Sequence, residues 1–450
     1  MRFLIFHGYM LRGTGSNIYN LNLARALAKL GHEVHLLCQD RETKIEGVRI
    51  HNPDIHGLLP VYVKDPYEGF EVKAFPELTD EELDRYIEAN VAAVREVAAE
   101  AGGIDAALAN HLVMGPAILA RADVAPFAAK IHGSALEYTV KPNPRFLPYA
   151  EEGMAAALGV LVGSRHTAES LWEALPDVPG LEEKTRLGPP GVDMEAFRPR
   201  VLPRHPRRIV FVGKLIVSKG VDLLLAAWPL VKARHPDARL EIAGFGEYEA
   251  GLQRLLRALD GGDLDEAREV ARLGWGSEGG EEAPLPILSS FLANPPARYA
   301  QAAQAAAGSV EFIGRLEHDE VAELLPGAEA LVMPSTFPEA FGMVAAEAAA
   351  CGVLPLSAGH SGMLEVSKQL MAALPEGVGR LTSFPVEESA VEAIADRLNG
   401  WLALPEAERA VAREALVETA RRLWSWEGVA RGVLAAAAGQ EPEGFPPSLQ

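Results

Sequence analysis

Two glutamates with a fixed spacing are the residues best suited to chemistry in this 450-residue sequence. Glu339 and Glu347 lie eight positions apart in Met333–Gly352, where an apolar run precedes a proline-containing loop and an alanine-rich segment. The pattern predicts a buried strand that ends at Met333, a loop with Glu339, and a helix that opens near Gly342 and carries Glu347. The helix start suits a phosphate, and fixed carboxylates accept hydrogen bonds from sugar hydroxyls.

Glu347 has a further implication, because the predicted helix around it consists of Ala, Val and Met. An unpaired buried carboxylate costs on the order of several kcal/mol, so Glu347 should have a partner. For the pair alone an ordinary explanation stays open. In that explanation the helix dipole stabilises Glu339 without any ligand, and Glu347 is exposed to water.

Two lysines follow the first predicted strand of the second half of the chain. Lys214 and Lys219 come after the apolar run 209–212, and the sequence neighbours Arg204, Arg207 and Arg208 add positive charge. The chain as a whole has 42 Lys and Arg against 62 Asp and Glu, a formal charge of −20. A local positive patch at a strand's carboxyl end would suit a diphosphate leaving group. A solvated lysine pair is the alternative explanation.

The first half has its own strand-end residues. Gly8–Ser16 contains Gly13 and Gly15, which allow close backbone approach, but Ile18 stands where a dinucleotide fingerprint needs its third glycine. His111 and His132 each follow a predicted strand, so we expect both to face the same cleft as the glycine loop. Hydrogen-bonded core histidines are the alternative for each.

Both halves alternate buried strands with helices, which predicts parallel sheets covered on both faces. The proline- and glycine-rich stretch 188–206 separates the two series. We therefore expect a first domain at residues 1–188, a linker at 189–206, and a second domain at 207–424. The segment at about 261–308 does not fit the alternation, and we interpret it as an insertion in the second domain.

Composition excludes several classes of protein. The net negative charge argues against nucleic acid and anionic membranes as partners. Two cysteines cannot form a disulfide framework, and we expect a cytoplasmic protein because no signal peptide or 18-residue apolar stretch occurs. Asp263–Leu264–Asp265 resembles a metal-binding D-x-D pattern, but helix capping explains it better. We expect no metal and no cofactor, and the sequence leaves the oligomeric state open.

Four stretches resemble motifs of the retaining glycosyltransferases of family GT4 (group 1), and they occur along the chain in the same order as in the family. The most specific is FPEAFGMVAAEAAACG, which is similar to the family's E-x7-E signature, with Glu339 and Glu347 in the two positions. GPPGVDMEAFRP resembles the inter-domain connection, GKLIVSKGVDLLLAA the basic strand-to-helix turn, and WSWEGVA the start of the last helix. The resemblance implies an α/β GT-B fold, with two Rossmann-like doubly wound parallel-sheet domains facing a cleft. It also implies a C-terminal helix, at about 425–440, that packs back on the first domain.

The resemblance assigns roles by position. Glu339 would hold donor-sugar hydroxyls, Glu347 the nucleotide ribose, and Lys214 and Lys219 the diphosphate. His132 matches the histidine beside the reacting sugar, so the implied catalytic set is His132, Glu339, Lys214 and Lys219. The implied donor-binding set is Gly15, Lys214, Lys219, Ile313, Glu339, Ala340, Phe341, Gly342, Met343 and Glu347. The acceptor-side candidates are Arg12, His111 and Tyr138.

Three departures from the family pattern are visible. Lys214 replaces a common arginine, which keeps the charge but loses the planar fork. The usual E-G-F-G sequence becomes EAFG, and a usual double glycine becomes GHSG at 359–362, so His360 and Ser361 can alter contacts with the donor sugar.

The resemblance therefore implies a metal-independent, retaining hexosyltransferase that uses a nucleotide-diphosphate sugar. UDP is favoured only as the commonest family donor, and the expected acceptor is a small soluble molecule or a carbohydrate. A GT-B sugar-nucleotide epimerase stays open, as does a two-domain sugar-binding protein. We find no cofactor lysine of the kind that a glycogen-phosphorylase-like enzyme would need.

Overall fold

The computed structural model describes residues 1–62, 67–202 and 207–440. The chain divides into one unit of Met1–Gly191 with Trp424–Gln450, and a second of Val192–Leu423. Predicted linker residues from Val192 onward thus group with the second unit, and Trp424 groups with the first. The end of the predicted linker (203–206, with Arg204) and the tail 441–450 lie outside the described residues.

The first unit is built on a parallel sheet. Its strands are β1 (Arg2–Phe6), β2 (Glu33–Leu37), β3 (Val48–His51), β4 (Leu58–Val61), β5 (Glu71–Ala74), β6 (Ala106–Asn110), β7 (Phe127–Ile131), β8 (Gly159–Val162) and β9 (Thr185–Leu187). Its helices are α1 (Gly15–Lys29), α2 (Asp80–Glu100), α3 (Gly115–Ala122), α4 (Leu147–Ala156), α5 (Arg165–Ala174) and α6 (Leu181–Lys184). The strand order is β3-β2-β1-β6-β7-β8-β9, and β4 and β5 form a separate parallel pair.

Both faces of this sheet are buried. Successive residues of a strand point to opposite faces, and in β1 Leu4 and Phe6 join one apolar cluster while Phe3 and Ile5 join the other. Strands buried on both faces read as continuous apolar runs, and this is why β1, β2, β6, β7 and β8 are predictable from the sequence.

The second unit repeats the arrangement. Its strands are β10 (Arg207–Val212), β11 (Ala238–Ala243), β12 (Val310–Gly314), β13 (Ala330–Met333), β14 (Leu354–Ala358) and β15 (Ser383–Phe384), in the order β12-β11-β10-β13-β14-β15. Its helices are α7 (Val221–Lys232), α8 (Glu249–Gly261), α9 (Leu264–Leu273), α10 (Pro286–Ala293), α11 (Tyr299–Ala305), α12 (His318–Leu324), α13 (Met343–Ala350), α14 (Ser361–Ala373), α15 (Glu376–Gly379), α16 (Ala390–Ala403) and α17 (Glu406–Leu423).

The predicted insertion is helical and lies between β11 and β12. It contains α9, a short 3-10 turn at Trp275–Glu278, α10 and α11. The Tyr299 hydroxyl donates to the Ala226 carbonyl of α7 at 2.6 Å, so the insertion packs on a helix of the sheet layer. Asp263 accepts a hydrogen bond from the Glu266 N–H at 3.0 Å and caps α9. The D-x-D pattern is therefore a helix cap, as we expected from the sequence.

The last helix, α18 (Trp426–Ala437), belongs to the first unit. Val429, Ala430 and Val433 are buried in the same apolar cluster as Tyr19 and Leu23 of α1. The helix begins at a Ser425 cap, whose hydroxyl accepts from the Gly428 N–H at 3.3 Å. The first unit is therefore completed by residues that come after the whole second unit in the sequence.

The predicted fold class is confirmed, since each unit is a doubly wound parallel sheet with helices between its strands. Five strands were not predicted, namely β3, β4, β5, β9 and β15. Three of these (β3, β5 and β9) have partly exposed residues, so they lack the continuous apolar run of a central strand. Within the described residues, no helix has both the length and the apolarity needed to cross a bilayer.

Candidate functional site

The strand order of the second unit reverses between β10 and β13. In open α/β sheets, ligands bind beyond the carboxyl ends of the strands at such a reversal. Lys214 and Lys219 follow β10, and Glu339 follows β13, so the topology brings these sequence-predicted residues to one edge of the sheet.

Backbone contacts join the two loops. Gly220 has φ +64°, and a Cβ atom there would collide with the Pro334 carbonyl oxygen, so the position requires glycine. The Thr336 N–H donates to the Ser218 carbonyl at 2.9 Å. The loop after β10 is therefore fixed directly against the loop after β13.

Glu339 has a cation and a hydroxyl on one carboxylate oxygen. The Lys219 ammonium forms an ion pair with Oε1, and the Ser335 hydroxyl donates to the same atom at 2.7 Å. Burial raises the pKa of Glu339, but Lys219, Ser335 and His360 together outweigh it and lower the pKa below the usual value. Glu339 is therefore an anion fixed beside a cation, an arrangement that can accept hydrogen bonds from sugar hydroxyls.

The GHSG departure supports the Glu339 loop. The Ser361 hydroxyl accepts from the Glu339 N–H at 2.9 Å, and His360 Nε2 donates to the Ser335 carbonyl at 2.8 Å. Ser361 has φ +52°, a left-handed conformation that favours glycine. The chain thus keeps the backbone geometry of a glycine here, and its serine side chain contacts the backbone of Glu339.

The start of α13 is formed by close backbone packing. Gly342 has φ +95° directly before Met343. A Cβ atom on Gly362 would collide with the Ala340 carbonyl oxygen, so glycine lets the Ala340–Phe341 peptide lie against α14. The first N–H groups of α13 have no intrahelical acceptor and can bind an anion.

Glu347 is buried on α13, with its side chain 4% exposed. Its Oε1 lies 2.8 Å from Nε2 of His318, the first residue of α12. Burial lowers the pKa of His318, but the hydrogen bond and charge of Glu347, with Asp193 and Asp319, raise it above the usual value overall. The prediction that buried Glu347 should have a partner is confirmed.

Lys214 and Ile313 lie at the same end of the sheet of the second unit. Lys214 is half-buried in the loop after β10, where the Leu215 N–H donates to the Phe245 carbonyl at 2.8 Å. Ile313 is half-buried on β12, next to β11.

The arginines do not belong to the lysine patch that the sequence suggested. Arg207 and Arg208 begin β10, whereas Lys214 follows its other end, and six extended residues span roughly 20 Å. Arg207 forms a two-point ion pair with Asp237 at 2.7 and 2.8 Å, and Arg208 lies 3.7 Å from Glu241. The local positive charge at the candidate site thus comes from the lysines alone among these described residues.

The first unit gathers three histidines where its own strand order reverses, between β1 and β6. His7 follows β1, His111 follows β6 and His132 follows β7. The ring centroid of His111 lies 4.9 Å from that of His132 and 5.9 Å from that of His7. The two histidines predicted from the sequence therefore lie together.

Asparagines set the hydrogen bonding of this cluster. Asn110 Oδ1 lies 2.8 Å from His132 Nε2 and accepts from Asn20 Nδ2 at 3.0 Å. Since Oδ1 can only accept, His132 donates through Nε2, and its Nδ1 is the acceptor atom of the neutral ring. Both ring nitrogens of His111 are buried and have no hydrogen-bond partner among the described residues.

Burial keeps the three imidazoles neutral near neutral pH. It lowers the pKa of His7 to about 4, and it lowers the pKa values of His111 and His132 well below the usual value. Neighbouring Lys130, whose own pKa is lowered by burial to about 7, adds to the effect on His132. Neutral imidazoles can donate and accept hydrogen bonds with hydroxyl groups.

The other predicted first-unit residues have different surroundings. Gly15 is the first residue of α1. Arg12 has a side chain 59% exposed, and it pairs with Glu42 at 2.6 Å and with Asp40 at 3.7 Å. Tyr138 is 43% exposed, in a π-helical turn at Ala135–Val140.

Sequence reasoning did not identify several partners of the predicted residues. His318 is 29 positions from Glu347, and Glu278 of the insertion accepts from the Val217 N–H at 2.7 Å, 61 positions away. Neither pair has a local spacing signal. His7 was detectable, because it follows the first strand just as His111 and His132 follow theirs.

Family models match most of the chain in order. A model described as Glycosyltransferase Family 4 matches residues 13–196, and two described as Glycosyl transferases group 1 match residues 206–275 and 298–421. The donor-side residues Lys214, Lys219, Glu339 and Glu347 all fall within the group 1 matches.

Similar proteins span nearly the whole chain. A D-inositol 3-phosphate glycosyltransferase from Frankia alni is 28% identical over 446 residues, 93% of each chain. Among solved structures, sucrose-phosphate synthase from Thermosynechococcus elongatus has a TM-score of 0.60 at 20% identity, covering 96% of both chains. The Anabaena protein Alr3699/HepE, solved in complex with UDP and glucose, has a TM-score of 0.59 at 14% identity, covering 97% of this chain and 99% of that one.

The resemblance read from the sequence is thus confirmed by relatives and by fold. The family matches cover both units, and the structural neighbours have the GT-B fold. The chain is thus similar to the group 1 and family 4 glycosyltransferases across both units, and it has the GT-B fold of its structural neighbours.

Proposed function

We propose that this chain is a retaining, metal-independent hexosyltransferase that moves a sugar from a UDP-sugar to a hydroxyl of a small soluble or carbohydrate acceptor. One observation carries the proposal. Lys219 is paired with the ionised Glu339 at the carboxyl ends of β10 and β13, and buried Glu347 lies eight residues further along the chain, on α13.

The donor-binding roles follow from the chemistry of each group. The Lys219 and Lys214 ammonium groups neutralise the diphosphate, whose negative charge grows as its bond to the sugar breaks. The N–H groups at the start of α13 bind phosphate or sugar oxygens. Glu339 accepts from donor-sugar hydroxyls, and Glu347 accepts from the ribose.

In the proposed transfer, the bond between the anomeric carbon and the diphosphate oxygen breaks. Its electron pair leaves with the diphosphate. The acceptor oxygen bonds to the same face of that carbon, and its proton passes to the departing phosphate oxygen. Two lysines supply the counter-charge, so the reaction needs no metal. Nδ1 of His132 and the ring nitrogens of His111 can form hydrogen bonds with sugar or acceptor hydroxyls.

Known relatives guide the choice of substrates. Alr3699/HepE has been solved with UDP and with UDP-glucose, which supports UDP-sugars as first donors. The Frankia alni relative is named for D-inositol 3-phosphate, so this molecule is the first acceptor to assay. Two buried cysteines without a disulfide fit our placement of the reaction in the cytoplasm.

The first test is a thermal-shift screen with UDP-, GDP-, ADP- and TDP-sugars. A ligand that binds only the folded state raises its stability by about 2.7 kcal/mol at one hundred times its Kd. We expect a UDP-sugar to raise the unfolding midpoint most. A larger shift with another base would move the donor assignment to that base.

Glu347→Gln tests the site itself. Losing a charge-assisted hydrogen bond costs about 1.5–3 kcal/mol, so we expect kcat/KM for the donor to fall about 10- to 100-fold. The matched control is Glu311→Gln on the exposed face of β12, which should keep wild-type activity. Wild-type kinetics of Glu347→Gln would refute the assignment. Turnover of donor into a new sugar nucleotide without acceptor would identify an epimerase instead.

A further inference from the structure

His318 contacts the carboxylate to which we assign the ribose. It is the first residue of α12, and its Nε2 lies 2.8 Å from Oε1 of Glu347 on α13. The imidazole is 30% exposed, whereas the carboxylate is 4% exposed. The histidine is therefore the more exposed partner of a nearly buried carboxylate.

The contact fixes the orientation of Glu347. The other residues of α13 are Met, Val and Ala, which offer the carboxylate no hydrogen-bond donor from their side chains. A glutamate has three side-chain torsions, and an anchored oxygen removes much of their freedom. With Oε1 hydrogen-bonded to His318, the rotation of the carboxylate is restricted.

His318 is itself held on several sides. The ring of Phe197 packs against it, with centroids 4.8 Å apart. Asp193, Asp319 and Glu347 are the acidic groups that act on it, from the segment before β10, from its own helix and from α13. The Glu347 hydrogen bond and the Phe197 ring hold the imidazole in place, and a group that orients another needs such a defined position.

We propose that His318 is the positioning residue that lets Glu347 distinguish ribose from deoxyribose in the donor nucleotide. The inference rests on the proposed function, because it assumes that Glu347 accepts from the ribose. Without His318 the carboxylate can rotate, and a hydroxyl-specific contact loses its geometry. Nucleotides with and without that hydroxyl then bind more equally.

A purely structural pair predicts something different. If His318 only compensates a buried charge, its loss lowers the stability of the second unit and weakens all nucleotides by the same factor. The ratio of Kd values for a deoxyribonucleotide and its ribonucleotide then does not change. That ratio is therefore the measurement that separates positioning from stability.

The experiment measures Kd by isothermal titration calorimetry for UDP, 2′-deoxy-UDP and 3′-deoxy-UDP, and for the same series of GDP and ADP. For the base that binds most tightly, the wild-type Kd of the deoxyribonucleotide should exceed that of the ribonucleotide by about tenfold or more, as expected for one hydrogen bond to a charged group. In His318→Ala the preference should fall to about threefold or less. His318→Gln keeps an N–H donor and should restore part of it.

The matched control is Glu323→Ala on the same helix. It removes an ion pair with Arg200 but leaves the His318–Glu347 contact, so its ribose preference should equal that of wild type. If His318→Ala does not fold, the ribose preferences of His318→Gln and His318→Asn are compared with that of wild type instead.

The outcomes separate the two proposals. A wild-type preference that persists unchanged in the His318 variants overturns the inference and leaves the proposed function intact. Absence of any preference in wild type, or of nucleotide binding altogether, overturns the ribose role of Glu347, and the inference falls with it.

Discussion

A buried carboxylate that keeps its charge needs a cation beside it, and Lys219 has this role for Glu339. The ion pair and the Ser335 hydroxyl lower the pKa of Glu339 although burial acts in the opposite direction. The two side chains therefore depend on each other. Removing the lysine changes both the diphosphate site and the titration of the glutamate.

Lys219→Met should lower kcat/KM about 100-fold or more, as expected when a group that stabilises developing charge is lost. It should also shift the pH profile. Glu339 is active as the anion, so activity is lost as pH falls through its pKa. Without Lys219 that pKa rises, and the acid limb of the profile moves to higher pH.

The check is the pH dependence of kcat/KM for wild type, Lys219→Met and Lys219→Arg. The arginine variant keeps the charge, so its acid limb should stay near that of wild type. Coincident acid limbs for wild type and Lys219→Met would show that the ion pair does not control Glu339.

At this scale the sequence predicted the ionic residues but not their partners. Glu339, Glu347 and the two lysines have a recognisable spacing within single loops and helices. His318 meets Glu347 only because the fold brings the first residue of α12 to the side of α13, and a contact between residues 29 positions apart is not predictable from either segment alone. Arg207 and Arg208 show the converse, since they are near Lys214 in sequence but lie at the opposite end of β10.

At the scale of elements, the insertion is connected to the donor-side loop. The 3-10 turn Trp275–Glu278 places the Glu278 carboxylate on the Val217 N–H, at 2.7 Å. Val217 opens the turn that ends at Lys219. The insertion, to which the sequence analysis assigned no role, therefore holds one end of the turn that carries Lys219.

Glu278→Ala should weaken UDP binding by about three- to tenfold, because the Val217 N–H loses its acceptor and the turn loosens. Glu278→Gln keeps an acceptor oxygen and should bind UDP nearly as well as wild type. The control is Glu282→Ala, a surface residue of the insertion paired with Arg272 at 3.1 Å. Calorimetric Kd values decide, and equal affinities for the alanine and glutamine variants would rule out the proposed support of the turn.

The elements themselves divide into predictable and unpredictable ones for a physical reason. Strands such as β6 and β13 are buried on both faces and read as unbroken apolar runs. Edge strand β3 has partly exposed residues throughout, and the β4–β5 pair lies outside the main sheet. β3 and β5 mix polar and apolar residues and β4 contains Pro60, so none of the three has the sequence expected of a central strand.

At the scale of the whole molecule, the first unit depends on a helix from the far end of the chain. Gly159 opens β8 under α18, and a Cβ atom there would lie 2.6 Å from the Ala436 carbonyl oxygen. Glycine is therefore required for the close approach of helix and sheet.

Gly159→Ala should destabilise the protein by about 1–3 kcal/mol, the usual cost of overpacking. Gly261→Ala is the matched control, because a Cβ atom at that glycine meets no atom within 4 Å. Urea unfolding followed by tryptophan fluorescence compares the two variants. Equal stabilities would mean that α18 packs less closely than the structure shows.

The return of α18 to the first unit also determines the order in which the protein can fold during synthesis. Val192–Leu423 is continuous, so the second unit can fold as soon as it leaves the ribosome. The first unit is translated earlier, yet the apolar surface around Tyr19 and Leu23 stays uncovered until Trp426–Ala437 has been made. The half of the molecule that begins translation is therefore the last to be completed, and throughout that interval its exposed surface is a natural substrate for chaperones.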